Sequence, residues 1–260
     1  MFGNIYGLDL GTYQIKVYDK KLDSIWKAKN TIAIRNKKEI FSVGDEAYEM
    51  YEKAPSNIEV VFPMKEGVIS RFYDMQYLLE NLLKKEKNFS RGAKYVIAVP
   101  TDVTEVEKRA FYDLVVHSNA KAKEVRIVER GIADAIGFGL DVKNLPGVLT
   151  VNMGAETTEI TILSYGGVVL NKLLKIGSIT CDQAIKNTVR YQHEFLIGHL
   201  SAEELRKEYG VSSEDATDDF KVAGRNLLTR IPEQKHIEKE IVQAAMREPL
   251  QICLHEIRSL

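Results

Sequence analysis

The amino-acid sequence predicts an α/β protein made of two related units that carry smaller insertions. Strand-like and helix-like segments alternate up to about residue 140, which favours a largely parallel sheet covered by helices. A hairpin pattern at the start of the chain returns near residue 150, which indicates a duplicated unit. The 260 residues are 45% hydrophobic and 28% charged, so the chain can bury the cores that such units require.

Composition and charge limit the classes of function that the chain can have. The chain has 36 Lys and Arg against 37 Asp and Glu, a net charge of -1, which disfavours nucleic acid as a partner. Cys181 and Cys253 are far apart and have no His or Cys neighbours at metal-ligand spacing. The first residues lack a signal sequence, and no apolar run approaches the ~18 residues of a transmembrane helix. We therefore expect a cytoplasmic protein.

The first unit is predicted to open with a β-hairpin, whose strands at 5–8 and 14–18 flank the turn Asp9-Leu10-Gly11-Thr12. The carboxylate of Asp45 is expected to cap a short helix that follows strands at 31–34 and 41–43. A capping box of Thr104 and Glu107 predicts a helix that runs to about residue 118. The remaining predicted elements are a helix at 74–85, strands at 95–99 and 125–128, and a helix at 132–138.

The second unit is predicted to start with another hairpin, with strands at 148–152 and 158–163. A strand at 168–175, helices at 182–191 and 202–209, short strands within 220–231 and a long helix at 233–260 follow. Asp182 is expected to cap the first of these helices, and a capping box of Ser201 and Glu204 the second. Pro249 is expected to kink the last helix. Its apolar stripe predicts packing against later strands, or alternatively against preceding residues.

The turn at Asp9 has the chemistry of a phosphate site. It ends a buried strand and offers consecutive backbone N–H groups, a glycine, a hydroxyl and a carboxylate. Such a turn can bind an anion through its amides while the carboxylate holds Mg²⁺ through water. A single turn of this kind is more often an ordinary hairpin turn. The equivalent turn at 152–155 favours the hypothesis that the turns bind a phosphate.

The segment Gly7-Leu8-Asp9-Leu10-Gly11-Thr12 resembles the first phosphate loop of the actin, heat-shock chaperone and sugar-kinase superfamily. More narrowly, the whole chain resembles the MreB family of bacterial actin homologues, because many short motifs match in one register. They lie at 43–47 (Val-Gly-Asp-Glu-Ala), 55–58 (Pro-Ser-Asn-Ile), 63–69 (Pro-Met-Lys-Glu-Gly-Val-Ile), 99–100 (Val-Pro), 104–109 (Thr-Glu-Val-Glu-Lys-Arg), 135–140 (Ala-Ile-Gly-Phe-Gly-Leu), 157–159 (Thr-Thr-Glu), 196–198 (Leu-Ile-Gly), 201–203 (Ser-Ala-Glu) and 247–250 (Arg-Glu-Pro-Leu).

The resemblance implies an actin-like ATPase fold that binds ATP or ADP with Mg²⁺ and self-associates into filaments. It also implies association with the inner face of the cell membrane and with cell-wall synthesis proteins, and so a role in cell shape. The implied subdomains are 1–32 with 81–145, the insertion 33–80, 146–182 with 233–260, and 183–232. The family's later adenosine loop has no counterpart before Leu260, so we expect the fold to lack its C-terminal part.

The resemblance also assigns the nucleotide-binding residues. Glu203 and Arg206 match the family's Glu and Lys that contact the nucleoside, although an ordinary charged helix face is an equal alternative. Asp9 is the expected metal ligand, through water. The two phosphate loops supply Asp9, Gly11, Thr12 and Tyr13, and Asn152, Gly154, Ala155, Glu156 and Thr157.

Three departures from the family occur in the ATP-binding motifs. The second loop of the family is Asp-x-Gly-Gly-Gly-Thr, whereas here Asn152 is uncharged, and Ala155 and Glu156 carry side chains near the phosphate. The catalytic Glu of the family's Glu-Glu-Pro segment aligns with Arg130, which cannot accept a proton from water. Glu129 could replace it only if the strand shifted by one residue. We expect weak nucleotide binding and impaired hydrolysis.

Arg130 and Glu156 are expected to approach closely enough for an ion pair that blocks the phosphate position. The alternatives are that Arg130 is a phosphate ligand or a solvated surface residue. A working ATPase with Glu129 as base, and a regulatory or pilus-assembly module that forms no filaments, remain alternative functions. Residues 1–6 are expected to contact a membrane weakly at most.

Overall fold

The computed structural model describes residues 4–85, 92–210 and 220–260. The chain divides into two compact units, residues 1–175 and 176–260, which are described separately. Among the described helices, none is both long enough and apolar enough to cross a membrane.

Unit 1 holds the predicted hairpins and most of the strands. Its elements are β1 (Ile5–Leu10), β2 (Gln14–Asp19), β3 (Ser24–Lys29), β4 (Ile32–Arg35), β5 (Glu39–Val43), α1 (Asp45–Tyr48), β6 (Ile58–Val61), β7 (Met64–Lys65), β8 (Val68–Ile69), α2 (Phe72–Lys85), β9 (Lys94–Val99), α3 (Glu105–Val116), β10 (Glu124–Glu129), α4 (Arg130–Gly137), β11 (Val148–Met153), β12 (Thr158–Ser164) and β13 (Gly167–Leu174).

The central sheet of unit 1 has the strand order β10-β9-β1-β2-β3. Strands β10, β9 and β1 are parallel, and β1, β2 and β3 are antiparallel, so the predicted parallel sheet accounts for only part of it. Alternate residues of the opening hairpin, such as Leu8, Leu10, Ile15 and Val17, are buried in the main core. Helices α2 and α3 contribute Met75, Leu78, Leu79, Leu82, Phe111, Leu114 and Val115 to the same core.

Of the two helix caps predicted in unit 1, one is confirmed. Thr104 and Glu107 form the predicted capping box at the start of α3. The predicted cap by Asp45 is wrong, because its carboxylate accepts a hydrogen bond from the Lys29 backbone N–H at 3.1 Å and Gly44 precedes the helix. This short helix therefore depends on a contact with β3 rather than on its own cap.

The described residues of unit 1 also form three smaller sheets, with strand orders β11-β12-β13, β5-β4-β6 and β7-β8. Helix α4 packs on β11 and β12, and Gly131 of this helix is very close to Thr161 of β12. A Cβ atom at position 131 would lie 2.6–2.7 Å from three side-chain atoms of Thr161. Only glycine therefore fits at this crossing.

Unit 2 consists of α5 (Ser178–His193), β14 (Phe195–Ile197), α6 (His199–Tyr209), β15 (Lys221–Asn226), β16 (Pro232–His236) and α7 (Lys239–Arg258). Its core includes Ile185, Val189, Phe195, Leu205, Tyr209, Val222, Val242 and Met246. The last helix thus packs one face on preceding residues, while Ile252 and Leu254 remain exposed. Pro249 lies inside this helix.

Three sequence predictions in unit 2 are wrong. Ser201 lies inside α6, and its hydroxyl donates to the Ala223 carbonyl instead of capping the helix. Asp182 lies inside α5, which begins four residues earlier than predicted, and its carboxylate is buried. Residues 233–236 belong to β16 rather than to the last helix, because they pair with β15.

The predicted membrane contact at the N-terminus is only partly within the described residues. Residues 1–3 lie outside them. Ile5 and Tyr6 belong to β1, and Tyr6 is buried in the main core against Tyr95. Tyr6 is therefore a core residue of unit 1.

Candidate functional site

The first predicted phosphate turn joins β1 to β2. The Gly11 N–H donates to the Gln14 carbonyl at 3.1 Å, and a Cβ atom on Gly11 would lie 2.7 Å from that oxygen. The Thr12 hydroxyl accepts a hydrogen bond from the Gly67 N–H at 3.1 Å. The Tyr13 ring stacks on Phe62. The turn is therefore a tight, glycine-dependent hairpin at the carboxyl end of a buried strand.

The second turn repeats this construction. The Gly154 N–H donates to the Thr157 carbonyl at 2.8 Å, and a Cβ atom on Gly154 would lie 3.0 Å from that oxygen. The strand registers also agree, since Asp9 pairs with Lys16 and Asn152 pairs with Glu159. The predicted repeat of the hairpin is confirmed at the level of single hydrogen bonds.

The turn between β7 and β8 contacts both phosphate turns. Glu66 and Gly67 both have positive φ angles, 50° and 85°, as expected for a two-residue hairpin turn. The Gly67 N–H binds the Thr12 hydroxyl, and the Glu66 N–H donates to Glu156 Oε2 at 2.5 Å. Lys175 Nζ lies 2.5 Å from the Glu66 carboxylate and lowers its pKa through that hydrogen bond. This small hairpin therefore fixes the two turns relative to each other.

The predicted ion pair between Arg130 and Glu156 is wrong. Glu156 is instead held by the Glu66 N–H, and the Arg130 guanidinium lies 3.8 Å from both Asp9 Oδ1 and Glu159 Oε2. The reason is positional. Arg130 starts α4 beside the strand position of Glu159, whereas Glu156 lies at the tip of the turn. Arg130 is only 9% exposed, so the solvated surface alternative is also wrong.

Glu159 is the buried carboxylate opposite Arg130. It is 3% exposed, and its Oε1 accepts a hydrogen bond from the Thr101 N–H at 2.7 Å. In the described part of the chain, its Oε2 has no hydrogen-bond partner. Glu129, the alternative base, pairs with Val99 at the end of β10. Arg130 therefore faces Asp9 and Glu159, whereas Glu129 is the last residue of β10.

Asp134 is a site residue that sequence reasoning missed. The Asn152 amide Nδ2 donates to Asp134 Oδ2 at 2.8 Å. Burial raises the pKa of the Asp134 carboxyl, although the Asn152 hydrogen bond and the Arg130 charge act in the opposite direction. The signal was available, because Asp134 lies four residues after Arg130 and therefore on the same face of α4.

The residues around Asp9 do not fit a Mg²⁺ site. Lys16 Nζ lies 2.9 Å from Asp9 Oδ2, and Arg130 faces Asp9 Oδ1, so each carboxylate oxygen already faces a cation. A hard cation such as Mg²⁺ needs open oxygen ligands.

The two predicted residues of unit 2 lie on α6. Arg206 Nε donates to Asp182 Oδ1 at 2.6 Å, and Lys207 Nζ lies 2.7 Å from Glu203. Burial raises the pKa of Asp182, while the Arg206 hydrogen bond lowers it. Arg206 therefore balances the negative charge of a buried carboxylate, Asp182, in its own unit.

Comparison with known proteins gives consistent results. The sequence profile of the family described as MreB/Mbl protein matches residues 3–260. Cell shape-determining protein MreB of Escherichia coli (strain K12) is 33% identical over 259 residues, which cover 96% of this chain and 74% of that protein. Cell shape-determining protein Mbl of Bacillus subtilis (strain 168) is 26% identical over 264 residues, with 100% and 79% coverage.

Solved structures show the same fold. MreB5 of Spiroplasma citri bound to AMPPNP superimposes with a TM-score of 0.91 at 25% identity, covering 100% of this chain and 79% of that one. The MamK double helical filament matches with a TM-score of 0.77 at 19% identity, covering 98% and 79%. The predicted actin-like fold is confirmed.

Proposed function

Since this chain belongs to the MreB/Mbl family, we propose that it is a self-associating cytoskeletal subunit with a role in bacterial cell shape, weak nucleotide binding and impaired ATP hydrolysis. The family match over residues 3–260 supports the cytoskeletal role. The observation that supports impaired ATP hydrolysis is the placement of Arg130 between Asp9 and Glu159.

Nucleotide binding is supported by the paired turns. Gly11 and Gly154 let each turn close tightly, since a Cβ atom there would lie against a carbonyl oxygen of the same turn, and tight turns of this kind can present backbone N–H groups to a phosphate. The similar MreB5 structures contain AMPPNP and ADP, which makes an adenine nucleotide the natural ligand to test. Ala155 and the negative charge of Glu156 oppose phosphate binding in the second turn. We expect affinity weaker than micromolar, which corresponds to less than about 8 kcal/mol.

Hydrolysis is expected to fail at proton transfer and water positioning. Attack by water on a terminal phosphate requires a group that orients the water or accepts its proton. The guanidinium of Arg130 stays protonated and occupies the position that aligns with the family's catalytic glutamate. The Mg²⁺ that the resemblance implies does not fit the described residues, so no step is assigned to it.

Filament formation, membrane association and binding of cell-wall synthesis proteins are proposed from family membership. In this proposal the protein works in the cytoplasm and lies on the inner face of the membrane through its partners or its filaments. MamK, which has the same fold, has been solved as a double helical filament. A nucleic-acid role finds no support in the net charge of -1.

Sedimentation and electron microscopy of the purified chain, with ATP, with ADP and without nucleotide, test the proposal. We expect filaments, and a single-turnover assay with radiolabelled ATP should release no phosphate above the buffer control. Absence of filaments in all three conditions would instead favour the regulatory or pilus-assembly module. Rapid phosphate release that Glu129→Gln abolishes would establish the active ATPase with Glu129 as base.

A further inference from the structure

We propose that the nucleotide site of this chain uses its own cations, Arg130 and Lys16, in the role of Mg²⁺, and that its ligand is the metal-free nucleotide. The inference rests on the nucleotide binding proposed above and makes it more specific. The chemical class of the ligand changes from a metal chelate to a free nucleoside polyphosphate.

The first argument is the state of the Arg130 side chain. Its guanidinium is largely buried and lies 3.8 Å from a carboxylate oxygen of Asp9 and of Glu159. Both distances are longer than a hydrogen bond, so these carboxylates do not use up the guanidinium N–H groups. A planar guanidinium matches phosphate oxygens well. The group is therefore held in place by charge and can still donate to an anion.

The second argument is the surroundings of Asp9. Lys16 Nζ lies 2.9 Å from Asp9 Oδ2, while Arg130 faces the other oxygen. A divalent ion bound to Asp9 would lie close to two positive charges of the protein, which repel it. Lys16 and Arg130 balance the charges of Asp9 and Glu159, so a polyphosphate meets a locally neutral cluster and not two bare carboxylates.

The third argument is the second turn. Asn152 has no charge, and its amide nitrogen donates to Asp134, so this turn offers no carboxylate at the position where the family has one. Relative to the family motifs, Arg130 for Glu adds two positive charges, Asn152 for Asp adds one, and Glu156 for Gly removes one. The sum at these motif positions is two positive charges.

Equilibrium titration of the full chain with N-methylanthraniloyl ATP, followed by fluorescence, tests the inference. We expect the dissociation constant in excess EDTA to lie within about threefold of that in excess Mg²⁺. Arg130→Gln should weaken binding in EDTA by about tenfold or more, because it removes the internal cation. Arg126→Gln is the matched control, since Arg126 is exposed and pairs with Glu124 on the same strand, β10. It should bind as the wild type does.

A second readout follows the metal itself. In electron paramagnetic resonance titrations with Mn²⁺, we expect far less than one bound metal ion per bound nucleotide. If Arg130→Gln fails to fold because Glu159 loses its counter-charge, the variant Arg130→Gln/Glu159→Gln removes both charges and takes its place. The same loss of EDTA-resistant binding is expected.

Three results would overturn the inference. One is an affinity that Mg²⁺ improves by about tenfold or more in the wild type. Another is unchanged binding in EDTA when Arg130 is neutralised. The third is the absence of nucleotide binding in both buffers, which would also remove nucleotide binding from the proposed function. Metal-dependent binding would leave that function intact, so the two failures are distinguishable.

Discussion

Replacing Asn152 with aspartate would restore the carboxylate of the family's second turn, and we expect it to destabilise the protein at neutral pH. The Asn152 Nδ2 donates to Asp134 Oδ2 at 2.8 Å, so the substitution would place two carboxylates in contact. Burial already raises the pKa of Asp134, and the variant removes the Asn152 hydrogen bond that opposes this rise. The two acids would then have to share a proton.

The size of the effect follows from the distance. Two unit charges 2.8 Å apart repel by about 6 kcal/mol at an effective dielectric constant of about 20. Protonating one carboxyl with an ordinary pKa of about 3.9 at pH 7 costs about 4 kcal/mol, which is less than the repulsion. The pair therefore takes up one proton. Because that proton restores a hydrogen bond, we expect the free energy of unfolding to fall by about 2 to 4 kcal/mol.

The pH dependence has a definite sign. The pair binds its proton more tightly in the folded than in the unfolded protein, so its folded pKa is raised. Stability of Asn152→Asp relative to the wild type is therefore close to normal near pH 4 and decreases as the pH rises towards neutrality. Urea titrations followed by the fluorescence of Trp26, the single tryptophan and a residue of β3, measure this difference in unit 1.

Two further variants make the prediction specific. Asn152→Asp/Asp134→Asn reverses the roles of the two side chains and should regain most of the lost stability. Asn57→Asp, on an exposed residue of the same unit, should change stability by about 0.5 kcal/mol or less. An Asn152→Asp protein as stable as the wild type at pH 7, or no recovery in the double variant, would refute the reasoning.

Three other substitutions test separate features by chemical denaturation and circular dichroism. Gly131→Ala should destabilise unit 1 by about 1 to 3 kcal/mol, because its Cβ would lie 2.6–2.7 Å from Thr161 side-chain atoms. Arg206→Ala should destabilise unit 2 by about 3 kcal/mol, and more at pH 7 than at pH 5, since burial raises the pKa of Asp182 and its charged form is the costly one. Thr104→Ala should cost about 1 kcal/mol through loss of the α3 capping box.

Matched controls separate these effects from general sensitivity to substitution. Gly137→Ala lies on the same helix with no atom within 4 Å of the added Cβ, so it should cost far less than Gly131→Ala. Glu204→Ala changes an exposed residue of the same helix, α6, and should alter stability by about 0.5 kcal/mol or less. Equal losses in a variant and its control would contradict the corresponding prediction.

Much of the fold follows from the sequence because the signals are local. Alternating apolar residues predicted both hairpins, and the Thr104 capping box predicted the start of α3. The strand β3 was missed, because residues 24–29 mix charged and apolar side chains and form a strand only by pairing with β2. The last helix was predicted too long for the same reason, since residues 232–236 gain their strand partners from β15.

The site was harder to predict than the fold. The residue types of the turns were evident, and Gly11 and Gly154 are needed because a Cβ atom would lie 2.7 Å and 3.0 Å from a carbonyl oxygen of the same turn. The partners of Glu156 and Arg130 could not be predicted, because they depend on contacts between segments that are far apart in the chain. The Glu66 N–H that binds Glu156 comes from 90 residues away. Charge alone suggested that Arg130 and Glu156 attract each other, but Arg130 lies beside Asp9 and Glu159, and Glu156 binds a backbone N–H.

The close crossing of Gly131 and Thr161 limits which residues of the family motif this chain can accept. The proline that the family carries at position 131 needs side-chain atoms in a space that β12 already fills. A glutamate at position 130 would become a third acid beside Asp9 and Glu159. Each of these two substitutions is therefore expected to destabilise the protein when it is made alone. Restoring the family motif at positions 130 and 131 therefore needs compensating changes at Thr161 and around Asp9 and Glu159.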